Sequence, residues 1–340
     1  MIKKSKNESE MGYSNKVTAS DVAKQAGVSK WTVSRAFSQG ASISTKAREK
    51  VLKAATELGY RPNLLARSLT IRKTRLIGLV VDEMDNPNLL QLIKETSLKL
   101  QQRGYLSVLI NISEHGEQEK QISLADQFQI DGLIFLGTTL TEALVDLAQT
   151  IQHIPLIVLC RNSDISHIQV VSTDGYGAGK QIAALLAKQG YQRIGYMTGP
   201  ISESTQLNRL EGFRDGLAEL DLKVEVILEA GHYGRTAGFN TLNQYLATPS
   251  DRQPIEALFC ENDVLALGAL DALHRKSHAD RIGIVGFDDI DEASSPYYAL
   301  TTYRQPLKQL VDEAIRCLDG ERETSRPLLL PGELIIRQSH

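Results

Sequence analysis

The sequence has little cysteine, one tryptophan and no long apolar run in its 340 residues. Cys160, Cys260 and Cys317 are too widely spaced for a disulfide framework or a metal-ligand motif, so we expect buried, inert thiols in a reducing compartment. No apolar run approaches the roughly 18 residues that a membrane span requires. The basic start from Met1 to Lys6 has no apolar stretch after it, which argues against a secretory signal and predicts a cytoplasmic protein.

The sequence also lacks the residue spacings that enzymes use. It has no Ser/His/Asp order, no phosphate-binding glycine loop and no His-x-x-Glu pattern that would support catalysis. The glycine-rich stretch from Gly175 to Gly179 has neither the lysine nor the hydroxyl of a phosphate loop, and indicates the tight start of a helix instead. We therefore expect no enzyme activity, no cofactor and no metal site.

Charge is divided unevenly along the chain. Residues 1–75 contain 16 Lys and Arg against five Asp and Glu, a net charge of +11, whereas the remainder has a net charge of −14. A basic head on an acidic body is typical of a nucleic-acid-binding unit joined to a domain with another task. At roughly 150 residues per domain, the length favours two or three domains.

Residues 17–35 have the pattern of two short helices joined by a tight turn. Ser20 is placed as the N-cap of the first helix, Gly27 as its left-handed end and Ser29 as the N-cap of the second. The exposed face of the second helix would then present basic, hydroxyl and aromatic groups that suit the DNA major groove: Lys30, Trp31, Ser34 and Arg35. Many helix corners without a DNA function share this local pattern, so the stretch alone does not decide between the two.

The rest of the N-terminal part predicts a third helix and a short hinge. The third helix runs from Ser44 or Thr45 to Leu58, and Asn63 can cap a further helix of under two turns. A helix that short forms only where DNA or a partner chain supports it. We divide this part into a disordered tail over residues 1–16, a helix-turn-helix domain over 17–61, and a hinge helix with its linker over 62–74.

An ordered set of segments runs through the head and the hinge: Val17-Thr18, Asp21-Val22-Ala23, Ala26-Gly27-Val28-Ser29, Thr32-Val33-Ser34-Arg35, Ala47-Arg48-Glu49-Lys50-Val51, Gly59-Tyr60-Arg61-Pro62-Asn63 and Ala66-Arg67-Ser68-Leu69. Together they resemble the LacI/GalR (lactose and galactose repressor) family of transcription regulators. The resemblance implies that residues 65–69 belong to the hinge helix and that Leu69 wedges into the minor groove at the centre of a palindromic operator. The alternative for Leu69 is a packing contact with the core.

The pattern and the resemblance together predict a set of DNA-contacting residues: Thr18, Ser20, Ser29, Lys30, Trp31, Thr32, Ser34, Arg35, Asn63, Ala66, Arg67 and Leu69. Arg35 has a fork of donors that can take a guanine bidentately, whereas Trp31 cannot make that fork and would read a thymine methyl group or DNA shape. The predicted partners are a double-stranded palindromic operator and a second copy of the chain, because a symmetric dimer places two heads on two half-sites. No leucine heptad follows the last predicted strand, which argues against a tetramer built on a coiled coil.

From Arg75 onward, apolar strand patterns alternate with helical ones. Strands are predicted at 76–81, 105–110, 132–136, 155–159, 169–171, 193–197, 224–229, 255–260, 281–287 and 328–336. Helices are predicted at 88–103, 117–129, 141–150, 177–189, 204–220, 235–246 and 262–275. Repeated strand-helix units predict doubly wound parallel sheets, and about 265 residues exceed one compact sheet, so we expect two lobes.

Further segments in this region resemble the periplasmic-binding-protein fold of the same family's core: Asn86-Pro87, Ile130-Asp131-Gly132, Arg209-Leu210-Glu211-Gly212-Phe213, Glu261-Asn262-Asp263 and Val285-Gly286-Phe287-Asp288-Asp289. The resemblance implies three crossings between the lobes, which we place near 172–174, 302–304 and 326. Lobe 1 would hold residues 75–173 and 303–325, and lobe 2 residues 174–302 and 326–340. The full prediction is an α/β protein with a three-helix helix-turn-helix head, a short hinge helix and a two-lobed core of doubly wound parallel sheets.

Polar loops follow the carboxyl ends of the predicted strands, where open α/β sheets bind ligands. Carboxylates, amides and an aromatic face that converge there from two lobes suit a small polyol or a small acid. The residues predicted to contact such an effector are Asp82, Asn88, Arg161, Leu207, Arg209, Tyr233, Asn262, Asp288 and Gln305. The resemblance implies that Tyr233 stacks on the ligand and that Asn262 and Asp288 contact it from the second lobe.

Several of these residues have an alternative explanation. Leu207 departs from the family pattern, because many sugar-responding members have arginine there, so Arg161 or Arg209 would supply charge instead. Asn262 can equally be a helix N-cap. Asp288 and the aspartate after it can equally be a turn that follows a strand.

The sequence therefore predicts a transcriptional regulator of the repressor type. Its operator affinity would be controlled by a sugar, a sugar acid or a related metabolite bound between the lobes. Two alternatives stay open. One is an architectural DNA binder whose core has lost its ligand, which Leu207 favours; the other is a solute-binding protein, which the basic head opposes.

Overall fold

The computed structural model describes residues 17–38, 41–61, 73–82, 84, 86–112, 127–137, 154–161, 168–200, 207–248, 253–275, 282–322 and 326–340. The chain divides into two compact units, residues 1–74 and 75–340. The helices described in the second unit are Pro87–Gln102, Gly175–Lys188, Arg209–Ala218, Arg235–Ala247, Asp263–Arg275 and Leu307–Leu318, with a 3₁₀ turn at Asp291–Ser294. No helix in the described ranges combines the length and apolar content that crossing a bilayer requires.

The first unit is a small bundle of helices at Ala19–Ala26, Lys30–Ala36 and Thr45–Leu58. One valine from each helix, Val22, Val33 and Val51, is completely or almost completely buried at the centre, and the other buried side chains are alanines. Because alanine removes little apolar area from water, this core stabilises the bundle only modestly.

The helix ends of the head follow the sequence except at the first. Ser29 and Ser44 cap the second and third helices, as predicted. The Ser29 hydroxyl accepts a hydrogen bond from the Thr32 N–H, and the Ser44 hydroxyl accepts one from the Ala47 N–H. The N-cap predicted at Ser20 is wrong, because the helix begins earlier and Thr18 is the N-cap. Both the backbone N–H and the hydroxyl of Thr18 donate to the Asp21 carboxylate, at 2.9 and 2.7 Å. Ser20 has no acid three residues later, so it cannot form this capping box.

The described residues of the second unit form two six-stranded sheets. The strands of the first sheet are β1 Leu76–Val81, β2 Leu106–Asn111, β3 Gly132–Leu136, β4 Leu156–Leu159, β5 Gln169–Thr173 and β11 Leu328–Leu330, and they lie in the order β11-β5-β4-β3-β1-β2. The strands of the second sheet are β6 Ile194–Thr198, β7 Val224–Glu229, β8 Ala257–Cys260, β9 Gly283–Asp288, β10 Thr301–Arg304 and β12 Glu333–Ile335, and they lie in the order β12-β10-β9-β8-β6-β7. All the pairs are parallel except β10 with β12. The prediction of two lobes with doubly wound parallel sheets is confirmed.

Two of the three predicted crossings between the sheets lie elsewhere. Tyr303 and Arg304 still pair with β9 of the second sheet, so the second crossing comes after β10 rather than at 302–304. The strand predicted over 328–336 is wrong, because β11 joins the first sheet and β12 the second. The third crossing is therefore the two-residue link 331–332 and not Arg326. Pro331-Gly332 is a local signal that divides the two strands and was overlooked, whereas the change of sheet depends on pairing with β5 and β10.

Glycines let the helices of the second lobe approach closely. A Cβ on Gly179 would lie 2.3 Å from the carbonyl oxygen of Arg209, and one on Gly212 would lie 2.0 Å from that of Tyr176. The pair Gly238 and Gly268 does the same for the helices Arg235–Ala247 and Asp263–Arg275. Backbone-to-backbone packing of this kind fixes the helices that begin at Arg209 and just after Asn262, two residues of the cleft described below.

The three cysteines are free and buried, which confirms the prediction of structural thiols. Burial raises the pKa of Cys160 to about 12 and also raises the pKa of Cys260 and Cys317. Because the thiolate is the reactive form, these residues are chemically inert at neutral pH.

Candidate functional site

The second helix of the head presents the predicted polar face to solvent. Lys30, Trp31 and Ser34 are exposed, and Trp31 retains 66% of its accessible surface. Arg35, one turn after Trp31, places its guanidinium carbon 4.2 Å from the centre of the indole ring. Val33 and Ala36 on the opposite face are buried in the core of the head. The helix therefore offers a cationic and aromatic ridge of the kind that enters a major groove.

The hydroxyl groups predicted to contact DNA have structural tasks as well. Ser29 accepts from the Thr32 N–H at 3.1 Å, and the two side-chain hydroxyls lie 2.9 Å apart. The Thr18 hydroxyl is held by Asp21, and this hydrogen bond lowers the pKa of the Asp21 carboxyl below its usual value. Ser20 lies inside the first helix and is half-buried. Four further predicted contacts lie outside the described residues: Asn63, Ala66, Arg67 and Leu69.

Arg48 is a residue of the head that sequence reasoning missed. Its guanidinium donates to the carbonyl oxygens of Ala36, at 3.0 Å, and Ala41, at 3.4 Å. It therefore satisfies a carbonyl at the C-terminal end of the second helix and joins the third helix to it. The angle between these helices depends on this contact as well as on the apolar core.

The nine predicted effector residues all border one cleft between the two lobes of the core. In this arrangement of the lobes the cavity volume of the cleft is about 50 Å³. Lobe 1 contributes Asp82, Asn88 and Arg161, the second lobe contributes Leu207, Arg209, Tyr233, Asn262 and Asp288, and Gln305 lies on the crossing segment. Asn86, Cys160 and Gly137 also line it. The structure thus brings together the residues that the sequence selected, although their role toward an effector stays a prediction.

Two buried arginines, Arg161 and Arg209, line the cleft, one from each lobe. Arg161 follows β4, is 7% exposed, and donates from Nε to the Gly137 carbonyl oxygen at 2.8 Å. Arg209 begins the helix Arg209–Ala218, is 6% exposed, and donates to the Glu261 carbonyl oxygen at 2.5 Å. The guanidinium carbon of Arg209 lies 3.4 Å from the centre of the Phe287 ring, and this cation–π contact stabilises the buried charge.

Tyr233 is fixed by the carboxylate of Glu261, a residue that was not among the predicted effector residues. The Glu261 carboxylate accepts from the Tyr233 hydroxyl at 3.0 Å, from the Gly199 N–H at 2.6 Å and from the Thr198 hydroxyl at 3.2 Å. A Cβ on Gly199 would lie 2.1 Å from the Tyr233 ring, so only glycine allows the ring to lie there. The Arg161 guanidinium carbon lies 5.5 Å from the centre of the same ring. Burial raises the pKa of Tyr233 far above its ordinary value, so the phenol stays a hydrogen-bond donor.

Asp288 and Gln305 form a polar chain that reaches from one lobe to the other. The Gln305 amide donates to Asp288 at 2.7 Å and accepts from the Thr173 hydroxyl of β5 at 2.7 Å. Asp288 has a φ of 120°, a conformation that L-residues rarely adopt, and this backbone aims its carboxylate into the cleft. Because all three groups are buried, a change in the lobe angle must alter these hydrogen bonds.

A second buried carboxylate, Asp263, lies behind Asp288. It accepts from the Thr302 hydroxyl at 2.6 Å and from the Ile290 N–H at 3.0 Å. Burial and the neighbouring Asp288 charge raise the pKa of Asp263 to about 7. Burial likewise raises the pKa of Asp288 to about 6, although the nearby Arg209 and Arg161 charges oppose this. The pair therefore holds a proton at a pH where surface aspartates are ionised.

The alternatives for the remaining polar residues are resolved in part. Asn262 is indeed a helix cap, because its side-chain oxygen accepts from the Leu265 N–H at 2.9 Å, and it lines the cleft as well. Asp289 is structural, since its carboxylate pairs with Arg304 and Arg337 at 2.6 Å each and does not line the cleft. The side-chain oxygen of Asn88 is buried at the cleft and has no hydrogen-bond partner among the described residues. An unsatisfied buried acceptor of this kind suits a ligand hydroxyl.

The sequence held a signal for Glu261 that was not used. Glu261 comes directly after β8 and immediately before Asn262, at the sheet edge where ligands bind. Phe287, by contrast, was not foreseeable as the partner of Arg209. It lies in an apolar strand, and only the tertiary fold shows which face of its ring meets the guanidinium.

The chain is similar to known proteins over nearly its whole length. A family model described as "Periplasmic binding proteins and sugar binding domain of LacI family" matches residues 74–305, and one described as "Bacterial regulatory proteins, lacI family" matches residues 18–63. The HTH-type transcriptional repressor PurR of Pasteurella multocida is 30% identical, over 95% of this chain and 98% of the relative. The HTH-type transcriptional regulator DegA of Bacillus subtilis is also 30% identical, with the same coverage of both proteins.

Solved structures agree with the sequence relatives. A lac repressor dimer bound to operator and the anti-inducer ONPF is 27% identical and superposes with a TM-score of 0.82, over 95% of this chain and 98% of that one. A complex of the transcriptional regulator CelR with cellobiose is 25% identical, with a TM-score of 0.68, over 95% of this chain and 100% of that one. Both similarities span the head and the two-lobed core.

Proposed function

The chain belongs to the LacI family of bacterial regulatory proteins, and we propose that its effector is a small polyhydroxylated molecule, a sugar or sugar acid, enclosed by the cleft between its lobes. It is a DNA-binding transcriptional repressor under effector control, in a family of regulators rather than enzymes. It acts in the cytoplasm, where its operator is found, as a homodimer whose two heads take the two halves of a palindrome.

The observation that carries the effector proposal is the mixture of donors and acceptors in the cleft. Arg161 and Arg209 can only donate, the Asp288 carboxylate accepts when ionised, and the amides of Asn88 and Asn262 do both. Sugar hydroxyls are donors and acceptors at once, so they satisfy such a surface in a way that an apolar ligand cannot. Tyr233 adds an aromatic ring beside these groups, which suits the apolar face of a pyranose. Leu207 offers no hydrogen bond, so the two arginines supply the charged contacts.

Ligand control follows from the position of the cleft. An effector that contacts Arg161 from one lobe and Asp288 from the other favours one angle between the lobes, since only that angle satisfies both contacts. A ligand shifts such an equilibrium by the difference between its affinities for the two arrangements. Whether the effector strengthens or weakens operator binding depends on which of the two lobe arrangements it favours.

A thermal-shift panel tests the effector proposal. The full-length protein is heated with hexoses, disaccharides including cellobiose, and hexonic acids, each at a concentration well above its expected dissociation constant. A true effector at one hundred times its dissociation constant stabilises the folded protein by about 2.7 kcal/mol, which raises the melting temperature by a few degrees. If no compound in the panel stabilises the protein, the architectural alternative replaces this proposal.

Arg35 provides a direct test of DNA reading. Arg35→Ala is expected to weaken binding to the selected operator by about 1–3 kcal/mol and to relax base preference at one position of each half-site. Fluorescence anisotropy with labelled operator and single-base variants measures both effects. Lys24→Ala is the control, because it removes an exposed cation from the first helix instead. Equal losses for the two variants on all sequences would mean that Arg35 contributes only charge.

A further inference from the structure

The stack of Arg35 on Trp31 suggests a task for Trp31 other than contacting a base. We infer that Trp31 is a positioning residue, which holds the Arg35 guanidinium in the orientation needed to read one base pair. This inference rests on the proposed DNA-binding function of the head. It replaces the expectation that Trp31 itself reads a thymine methyl group.

The geometry of the helix produces the stack. Residues four apart lie on the same helix face, and helical side chains lean toward the N-terminus, so Arg35 leans back over Trp31. The guanidinium carbon lies over the indole ring, 4.2 Å from its centre, which is a cation–π contact. Within the described part of the chain, Arg35 forms no ion pair with a carboxylate. The indole is therefore what orients it.

A stacked guanidinium keeps its hydrogen-bonding edge free. In such a stack the N–H groups point outward in the plane of the guanidinium, where a guanine can present two acceptors. Trp31 has only one donor, its indole N–H, and no acceptor, so it cannot distinguish base pairs by a bidentate contact. Because Trp31 already orients Arg35 in the free protein, Arg35 loses less conformational entropy when it binds DNA.

Positioning and direct reading predict different operator preferences. If Trp31 positions Arg35, removing the ring relaxes the same base pair that removing Arg35 relaxes. If Trp31 reads a base itself, the relaxed base pair is another one. The exposure of Trp31 means that its substitution leaves the head folded, which thermal unfolding of each variant verifies.

The first arm of the experiment uses the fact that Trp31 is the only tryptophan in the chain. Its fluorescence in the free full-length protein therefore reports on this ring alone. Arg35→Ala is expected to raise the acrylamide quenching constant, because one face of the indole loses its cover. Lys24→Ala, on the first helix, should leave quenching unchanged. Equal quenching in the wild type and Arg35→Ala would overturn the stack and with it the inference.

The second arm measures operator binding by Trp31→Leu, Trp31→Phe, Arg35→Ala and the Leu/Ala double variant. The DNA is an operator selected by the wild type from a random-sequence pool. We expect Trp31→Leu and Arg35→Ala to relax the same base pair, a coupling of about three-fold in dissociation constant between them, and retained preference in Trp31→Phe. Independent effects, or relaxation at different base pairs, would overturn the inference. If the wild type selects no sequence at all, the proposed function fails, which is a separate and visible outcome.

Discussion

Arg209→Met is expected to abolish most effector binding, with a loss of at least about 30-fold in affinity for a compound that stabilises the wild type. The guanidinium is buried and already has its face on Phe287 and one donor on the Glu261 carbonyl oxygen. Its remaining donors can meet a ligand without moving, so little ordering is needed when the ligand arrives. Methionine keeps an unbranched stem on Phe287 while it removes every donor. Isothermal titration calorimetry measures the loss.

The matched control is Arg275→Met, at the end of the helix Asp263–Arg275. Arg275 is exposed, its guanidinium carbon lies 5.8 Å from the centre of the Phe239 ring, and it does not line the cleft, so this variant should bind the compound as the wild type does. Arg209→Met should also have a higher Asp288 pKa than the wild type, because Arg209 lowers it. Unchanged affinity in Arg209→Met would show that the compound binds outside the cleft.

The stability of the core is expected to fall as the pH rises from about 4 to about 8, and Asp263 is the main cause. Its pKa is about 7 in the folded protein against 3.8 for the ordinary carboxyl, so the folded state holds a proton that the unfolded state has released. A raised pKa means stability that is complete below the unfolded value and is lost as the pH rises through the folded value. The loss attributable to Asp263 is at most about 4 kcal/mol. Urea unfolding followed by circular dichroism at several pH values measures it.

Asp263→Asn isolates this contribution from every other titrating group. An asparagine oxygen can accept from Ile290, and the Thr302 hydroxyl can turn to accept from the amide, so the hydrogen bonds survive without a titratable proton. The variant should therefore lose less stability than the wild type over the same pH range. His340 acts in the opposite direction, because burial lowers its pKa, and the comparison with Asp263→Asn cancels it. Parallel pH curves for the two proteins would contradict the account.

Local patterns in the sequence were sufficient for the head and for most strands. The left-handed ends at Gly27 and Gly59 and the cap at Ser29 depend on a few neighbouring residues, so the sequence displays them directly. Strands β3 and β7 lie at their predicted bounds, because they are bordered by clear turn residues. The start of the first helix was missed because two possible caps, Thr18 and Ser20, compete, and the acid that decides between them lies three residues beyond Thr18.

Features that depend on distant residues could not be predicted. The change of sheet between β11 and β12 depends on pairing with β5 and β10, more than 25 residues away. Nine positions could be assigned to one cleft because strand ends converge in this fold, but the contacts among them could not. The raised pKa of Asp263 is an example, since burial, the Asp288 charge, Thr302 and the Ile290 N–H together set it.

The central claim is that ligand binding in the cleft changes the affinity of the head for DNA. The most direct test is the operator dissociation constant of the full-length protein, measured by fluorescence anisotropy with and without a saturating compound from the thermal-shift panel. We predict a change of at least about five-fold in the wild type and none in Arg209→Met. A compound that stabilises the wild type, fails to stabilise Arg209→Met, and yet leaves the operator dissociation constant of the wild type unchanged would contradict the claim.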